Sequence, residues 1–204
     1  MTEQTQETQT REAILLAARQ EFTEKGLNGA RMQEIANRAG INKALLHYYF
    51  KTKENLFDCI FNEAFNQFWP VLNSALIEKM TLKTFMERVV VTYIDMLLQH
   101  PYLPIFVLNE LHHNPERLQR LIKESGFDPN VLLAKIESEI AEGKCHPFNP
   151  AEMVINIISL SIFPFAAKPL IQRIWFENDP ERYTRFLQER KHSLLTFLER
   201  AIFV

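Results

Sequence analysis

The sequence is poor in the features that mark a secreted or membrane-spanning protein. Its two cysteines, Cys59 and Cys145, are too few for a disulfide framework, and the N-terminal MTEQTQETQT lacks the apolar core of a signal peptide. The most apolar run, residues 153–167, is interrupted by Asn156 and Pro164 and is too short to cross about 30 Å of hydrocarbon. These absences predict a soluble, cytoplasmic protein with no membrane partner.

Glycine is also scarce, and its placement predicts helices. Four of the five glycines lie where a helical pattern should end, because the backbone there adopts a positive φ that suits glycine. At four further positions an Asn or Asp, which caps a helix, precedes a proline suited to the first helical residue. The sequence therefore predicts an all-α fold. The glycines are Gly26, Gly40, Gly126 and Gly143, and the capping pairs are Asn114-Pro115, Asp128-Pro129, Asn149-Pro150 and Asp179-Pro180.

The common motifs of enzyme active sites are missing. The chain has no G-x-S-x-G, Walker A, G-x-G-x-x-G, H-E-x-x-H or C-x-x-C pattern. Two Glu-x-x-His pairs, Glu110 with His113 and Glu189 with His192, leave a carboxylate-bridged di-iron bundle as an alternative. A helical wheel places Glu189 and His192 away from the apolar stripe of their helix, whereas a di-metal centre needs both to project inward. We therefore predict no enzyme activity, no cofactor and no metal.

Residues 25–53 have the pattern of a helix-turn-helix. Residues 32–39 form a short helical run, and Gly40 ends it. Ile41 provides an apolar plug in the turn, and Asn42 is an N-cap for a second helix that runs to about Phe50. Leu46 and Tyr49 are expected on the inward face of this second helix. Its outward face is predicted to carry Lys43, Ala44, Leu45, His47 and Tyr48.

The charge distribution supports contact with phosphates. Residues 25–53 contain six basic residues and one acidic residue, whereas the whole chain has a net charge of −2. A basic segment within an acidic protein is an electrostatic signal for nucleic acid. The alternative is a solvated helical pair inside a larger bundle.

The rest of the chain is predicted as a series of longer helices. Residues 1–9 are expected to be disordered, and a first helix over residues 10–25 completes a three-helix head. A helix over residues 53–79, bent at Pro70, leads into the body. Helices over residues 150–176 and 180–203 predict an isologous four-helix dimer interface, with an intramolecular core as the alternative. The candidate dimer residues are Ile157, Ser161, Phe165, Phe186, Arg190, Leu194, Phe197 and Leu198.

Residues 33–57, QEIANRAGINKALLHYYFKTKENLF, resemble the DNA-binding region of the TetR family of transcriptional regulators. The resemblance implies a helix-turn-helix domain over residues 1–53 and a ligand-binding and dimerisation domain of six to seven helices over residues 54–204. It further implies a homodimer on a palindromic double-stranded DNA operator, most often a repressor. The residues it assigns to DNA contact are Arg31, Gln33, Asn42, Lys43, Ala44, Leu45, His47, Tyr48, Tyr49, Thr52 and Lys53.

The resemblance also implies a small-molecule effector that binds among the central helices and shifts the helix that begins at Lys53. Many aromatic residues of the body could line an apolar cavity, although aromatic residues at helical spacing are more often core. A helical module that docks on a protein or membrane is an alternative, but it leaves the basic segment unexplained. The candidate effector residues are Phe61, Phe65, Phe68, Trp69, Tyr93, Phe106, Glu110, His113 and Phe163.

Overall fold

The computed structural model of the protein describes residues 3–66, 68–77 and 80–204. Within these residues the chain forms twelve helices, and its β-structure is one isolated bridge between Cys145 and Phe203. The predicted all-α fold is confirmed. The helices are α1 (Glu3–Gly29), α2 (Met32–Arg38), α3 (Lys43–Tyr49), α4 (Lys53–Phe65), α5 (Phe68–Ile77), α6 (Leu82–Gln99), α7 (Leu103–His113), α8 (Pro115–Glu124), α9 (Pro129–Ala141), α10 (Pro150–Ala166), α11 (Lys168–Trp175) and α12 (Pro180–Ile202).

The helix boundaries follow the capping chemistry of the sequence. Helices α8, α9, α10 and α12 each begin at the proline of an Asx-Pro pair. Asp128, Asn149 and Asp179 accept hydrogen bonds from backbone N–H groups in the first turn of their helices. The four glycines predicted at helix ends all have positive φ values, and Gly26 (φ 64°) interrupts the helical backbone near the end of α1. The capping residues and the glycines of the local sequence therefore mark these ends.

Three predicted boundaries were wrong. Helix α1 already begins at Glu3, because the polar stretch before Thr10 contains helix-favouring Glu and Gln residues and can continue the helix into solvent. The predicted helix over residues 53–79 is two helices, α4 and α5, and Pro70 lies in the first turn of α5, where a missing N–H is tolerated. Residues 1, 2, 67, 78 and 79 of these predictions lie outside the described residues.

The third correction concerns the predicted helix over residues 150–176. It breaks at Ala167 into α10 and α11, which are bent by 71°. Pro169 has no N–H to donate to the carbonyl of Phe165, so a continuous helix cannot pass this point. The body therefore contains more and shorter helices than the six to seven expected.

The described chain divides into two compact units. The first contains the residues up to Phe65 together with Ile105–Leu121, and the second contains Asn66–Pro104 and Ile122–Val204. These units are defined by packing. The functional division between residues 53 and 54 remains a prediction.

An aromatic cluster forms the core of the first unit. Phe57 of α4 and Phe106 of α7 stack with ring centroids 4.2 Å apart. Phe22 of α1 meets them edge-on, at 5.7 and 6.1 Å. All three side chains are fully buried. Such pairs add to the burial of apolar area and fix the relative positions of α1, α4 and α7.

Helix α6 is the central element of the second unit, where it packs against α5, α9, α10 and α12. Its buried face includes Phe85, Val89, Tyr93 and Leu97, which recur at helical spacing. At its N-terminus, the Glu139 carboxylate of α9 accepts a hydrogen bond of 2.8 Å from the backbone N–H of Leu82.

Helix α12 supplies donors to two backbone carbonyls of α10, one of which is left open by a proline. Pro164 lies inside α10 and cannot donate to the carbonyl of Leu160. The Arg190 guanidinium of α12 donates to that carbonyl at 2.9 Å, and the Tyr183 hydroxyl donates to the carbonyl of Pro164. Burial lowers the pKa of Arg190, the expected direction for a charged group removed from water.

Within the described residues, no single helix is long and apolar enough to cross a membrane. The bent pair α10 and α11 together meets the requirements of length and composition.

Replacing Arg190 with methionine should lower the free energy of unfolding by about 1–3 kcal/mol, because the Leu160 carbonyl then loses its donor. Urea denaturation measures the change. In a Pro164→Ala background, a backbone N–H can reach the same carbonyl, so the cost of Arg190→Met should fall by about 1 kcal/mol. An equal cost in both backgrounds would contradict the role assigned to Arg190.

Candidate nucleic-acid interface

Helices α2 and α3 form a compact helix-turn-helix. Gly40 has a φ of 68°, and the N–H of Ile41 donates to the carbonyl of Ala36 at 3.0 Å, which closes the turn. The Asn42 side chain accepts from the N–H of Leu45 at 2.8 Å and caps α3. The predicted turn and cap are therefore confirmed.

Helix α3 has one buried face and one exposed face. Leu46 is fully buried, and Tyr49 is half-buried. Lys43, Ala44, His47 and Tyr48 are exposed, and Tyr48 has 74% of its surface open to solvent. Leu45, expected to point outward, is half-buried. A short helix that presents Lys and aromatic side chains in this way fits the dimensions of a major groove.

A buried carboxylate anchors α2 to α1. Glu21 of α1 is fully buried, and its oxygens lie 2.8 Å from Lys25 Nζ and 3.3 Å from Arg38 Nε. Arg38 also donates to Glu24 at 3.0 Å, and this hydrogen bond raises the pKa of Arg38 and lowers the pKa of Glu24. Two of the six basic residues counted in the helix-turn-helix are thus paired with α1. The count of charged residues over residues 25–53 therefore overstates the positive charge available to DNA. The acids that pair with these basic residues, Glu21 and Glu24, lie outside that segment.

The remaining basic residues lie around α3 and before α2. Arg31, Lys43 and Lys51 are exposed, and among the described residues none of them forms a salt bridge. Lys53 is half-buried and donates from Nζ to the carbonyls of Ala30 at 3.0 Å and Asn28 at 3.4 Å. It therefore ties α4 to the end of α1 and keeps a third N–H for another acceptor.

Three other predicted DNA residues make local contacts. Gln33 is exposed and donates to Asn37 at 3.0 Å along α2. Thr52 accepts from the N–H of Asn55 at 3.1 Å at the start of α4. The ring of His47 lies with Nδ1 3.1 Å from the backbone carbonyl of Lys51. Lys51 is exposed between α3 and α4 and was not among the predicted DNA residues, although the charge count included it.

The candidate effector residues are divided between the two units. Phe61, Phe65, Phe106 and Glu110 are buried in the first unit, where His113 is exposed. In the second unit, the Phe68 ring lies 5.0 Å from Tyr93 and 6.1 Å from Trp69, and burial raises the pKa of Tyr93 to about 12. Phe163 has 61% of its surface exposed, so it does not line an interior cavity of the protomer.

A charged cluster that sequence reasoning missed joins α4, α7 and α8 within the first unit. Arg117 of α8 lies 2.8 Å from Asp58 Oδ1 and 3.2 Å from Glu110 Oε1, and its guanidinium carbon lies 5.5 Å from the centre of the Phe57 ring. Burial raises the pKa of Glu110, and the charge of Arg117 partly opposes this shift. Phe57 and Asp58 lie more than 50 residues before Glu110 and Arg117, so no local pattern could have grouped the two pairs.

The eight candidate dimer residues have different environments. Ile157, Ser161, Phe165, Leu194 and Leu198 are buried within the protomer and offer little surface to a partner. Phe186 and Arg190 are half-buried, and Phe197 has 59% of its surface exposed. Other large apolar side chains of α10 and α11 are exposed. They are Ile155, Ile158, Phe163, Leu170, Ile174 and Trp175.

The two Glu-x-x-His pairs lie in different surroundings. Glu110 is buried and paired with Arg117, and the exposed His113 ring lies with Nδ1 2.8 Å from the carbonyl of Asn109. Glu189 and His192 are exposed, which confirms their predicted position away from the apolar stripe. Among the described residues, no group of three or more His, Cys, Asp or Glu side chains could hold a metal ion.

Known protein families and sequences match the region that contains α2 and α3. The family described as bacterial regulatory proteins, tetR family, matches residues 14–60. The HTH-type transcriptional repressor BepR of Brucella suis is 43% identical over 56 residues, which cover 28% of this chain and 27% of BepR. The HTH-type transcriptional repressor NicS of Pseudomonas putida is 28% identical over 137 residues, which cover 66% of this chain and 65% of NicS. This chain therefore spans less than two thirds of the length of either relative.

Solved structures match the whole fold. The ketosteroid transcriptional regulator KstR2 of Mycobacterium tuberculosis shares 16% identity, with a TM-score of 0.70 over 95% of each chain. The exposed face of α3 and the all-helical body have the architecture of a helix-turn-helix protein. More particularly, residues 14–60 match the TetR family, so the similarity covers α2, α3 and the adjoining parts of α1 and α4.

Lys51, in the turn between α3 and α4, and Lys53, at the start of α4, should have different effects on DNA binding and stability. Lys51→Met should weaken DNA binding and reduce the slope of log affinity against log salt by about 1, without changing stability, because Lys51 is exposed. Lys53→Met should weaken DNA binding and also lower the free energy of unfolding by about 1 kcal/mol, because the hydrogen bonds to the carbonyls of Asn28 and Ala30 are lost. Fluorescence anisotropy and urea denaturation measure the two effects. Equal stability of both variants would contradict the anchoring role of Lys53.

Proposed function

We propose that this chain is a ligand-responsive repressor that binds a palindromic operator as a homodimer and is released by a small molecule. The observation that carries the proposal is the exposed face of α3, held in place by buried Leu46 and the Asn42 cap. The similarity to two transcriptional repressors, BepR and NicS, supports repression. We also propose that the protein works in the cytoplasm, without catalytic activity and without a cofactor.

On this proposal, α3 enters the major groove and the surrounding residues hold the phosphate backbone. Lys43 and Ala44 are exposed at the start of α3 and would meet base edges, with Leu45 beside them. His47 and Tyr48 would divide between bases and backbone. The backbone contacts would come from Arg31, Gln33, Asn42, Tyr49, Thr52 and Lys53, to which we add Lys51.

We propose that two copies associate through α10 and α12, which pack against each other in the protomer. Phe197 of α12 is exposed beside a surface depression lined also by Ser193, Thr196, Arg200 and Ala201. Ile155 and Ile158 of α10 are also exposed apolar side chains. Apolar surface of this kind marks an interface, and a two-fold axis would place two recognition helices about 34–36 Å apart.

For the response to the effector, we propose that the segment over residues 105–121 moves α4. This segment belongs to the same compact unit as α1–α4, with Phe106 stacked on Phe57 and Arg117 paired with Asp58. A change in the path of α7 would therefore shift α4 and the recognition helix with it. Phe68, Trp69 and Tyr93 are the aromatic candidates for effector contact in the second unit. Release of labelled operator by a bound compound would test this mechanism, and binding without release would contradict it.

Anisotropy with DNA from immediately upstream of the gene, and with a palindrome obtained by random-sequence selection, tests DNA binding. We expect affinity to fall steeply with salt, because lysine and arginine displace counterions from phosphates. Lys43→Ala should weaken binding roughly 5- to 100-fold, whereas Lys123→Ala, an exposed lysine on α8, should have no effect. Failure of the selection to enrich any palindrome would refute the proposal.

Phe197→Glu should convert the dimer to monomers, because it places a charge within the proposed apolar interface. Sedimentation velocity measures the change. Val131→Glu is the matched control, since Val131 is an exposed apolar residue on α9, and it should leave the dimer intact. A dimer that persists in the Phe197→Glu variant would place the interface elsewhere.

A further inference from the structure

The hydrogen bond of His47 fixes the position of its ring proton. Nδ1 lies 3.1 Å from the backbone carbonyl of Lys51, and a carbonyl oxygen can only accept. Nδ1 must therefore carry the proton in this bond. A neutral imidazole has one ring proton, so Nε2 is left as an acceptor.

The hydrogen bond at Nδ1 also sets the direction in which Nε2 of His47 points. The ring is attached to α3 through its own backbone and is held at Nδ1 by the turn that follows α3. His47 is exposed, and it shares a helix face with Lys43 and Ala44, which precede it by four and three residues. Among the described residues, the imidazole ring forms its hydrogen bond through Nδ1. Nε2 is therefore a pre-positioned acceptor on the exposed face of the recognition helix.

We propose that His47 determines operator specificity by accepting a hydrogen bond at Nε2 from the exocyclic amino group of a base in the major groove. The amino groups of adenine and cytosine are the donors in this groove, whereas guanine and thymine present acceptors. Phosphate oxygens are also acceptors, so a neutral ring in this tautomer cannot bind them through Nε2. The inference rests on the proposed function, because it requires α3 to enter the major groove.

The tautomer can be tested without DNA. Protein labelled with ¹⁵N at histidine would be studied by two-bond ¹H–¹⁵N correlation at about pH 8, where histidine side chains are ordinarily neutral. His47→Phe identifies the signals of His47. We expect a protonated Nδ1 and an unprotonated Nε2 at this residue. The opposite tautomer would overturn the proposal whatever the protein does with DNA.

The contact with a base can be tested by deleting single amino groups. In a selected operator, each adenine is replaced in turn by purine and each cytosine by pyrimidin-2-one, which removes the amino group alone. For the wild-type protein, we expect one position in each half-site at which the deletion weakens binding roughly 5- to 100-fold. His47→Phe, which keeps a planar ring but has no nitrogen, should bind the intact and altered sites at that position equally. Any general effect of the analogue on base pairing would persist in this variant.

His146→Phe is the matched control, since His146 is an exposed histidine between α9 and α10, outside the proposed DNA contacts, and the variant should keep the discrimination of the wild-type protein. The wild-type protein could bind a specific site while no deletion of an amino group weakens its binding in a way that requires His47. That result would overturn this inference and leave the proposed function standing. A uniform loss of affinity in His47→Phe at every site would also overturn it, because that result indicates a backbone contact. Absence of specific binding by the wild-type protein would overturn both proposals.

Discussion

The recognition helix depends on its neighbours, because α3 is seven residues long and a helix of that length is not stable in isolation. Its orientation is set by Leu46 in the core, by the Asn42 cap and by the turn that joins Ile41 to Ala36. Helix α2 is in turn held to α1 by the buried Glu21 carboxylate and Arg38. Each polar group here contributes to the position of a side chain that would reach DNA, so stability and recognition are linked throughout this unit.

The packing of the first unit gives the body a physical connection to the recognition helix. Residues 105–121 lie far along the chain, yet they pack with α1–α4 through the aromatic cluster and through Arg117. Arg117 neutralises Asp58 and reaches the buried Glu110, which would be costly to bury alone. Stacked rings and paired charges resist small displacements, so a movement of this segment would be transmitted to α4.

In the second unit, interruptions of the helices are compensated by specific side chains. Pro164 leaves the carbonyl of Leu160 without its helical donor, and Arg190 supplies one from α12. This explains an arginine within an apolar stripe, which sequence reasoning assigned to a dimer interface. The helical wheel identified the inward face correctly, but it could not distinguish residues that face the protomer core from those left for a partner. Leu194 and Leu198 are buried in the protomer, whereas Phe197 beside them is exposed.

Features that depend on local chemistry could be predicted from the sequence. Asx-Pro pairs, glycines with positive φ, the Asn42 cap and the alternation of Leu46 with exposed neighbours specify the all-α fold and the helix-turn-helix. Tertiary structure alone decided which charges remain available to DNA, because Arg38 and Lys25 are paired with Glu21 of α1. It also decided that Arg117 lies against Asp58 and that His47 donates to the Lys51 carbonyl. These contacts depend on the distance and direction between side chains and backbone groups in the folded chain, which helical periodicity does not encode.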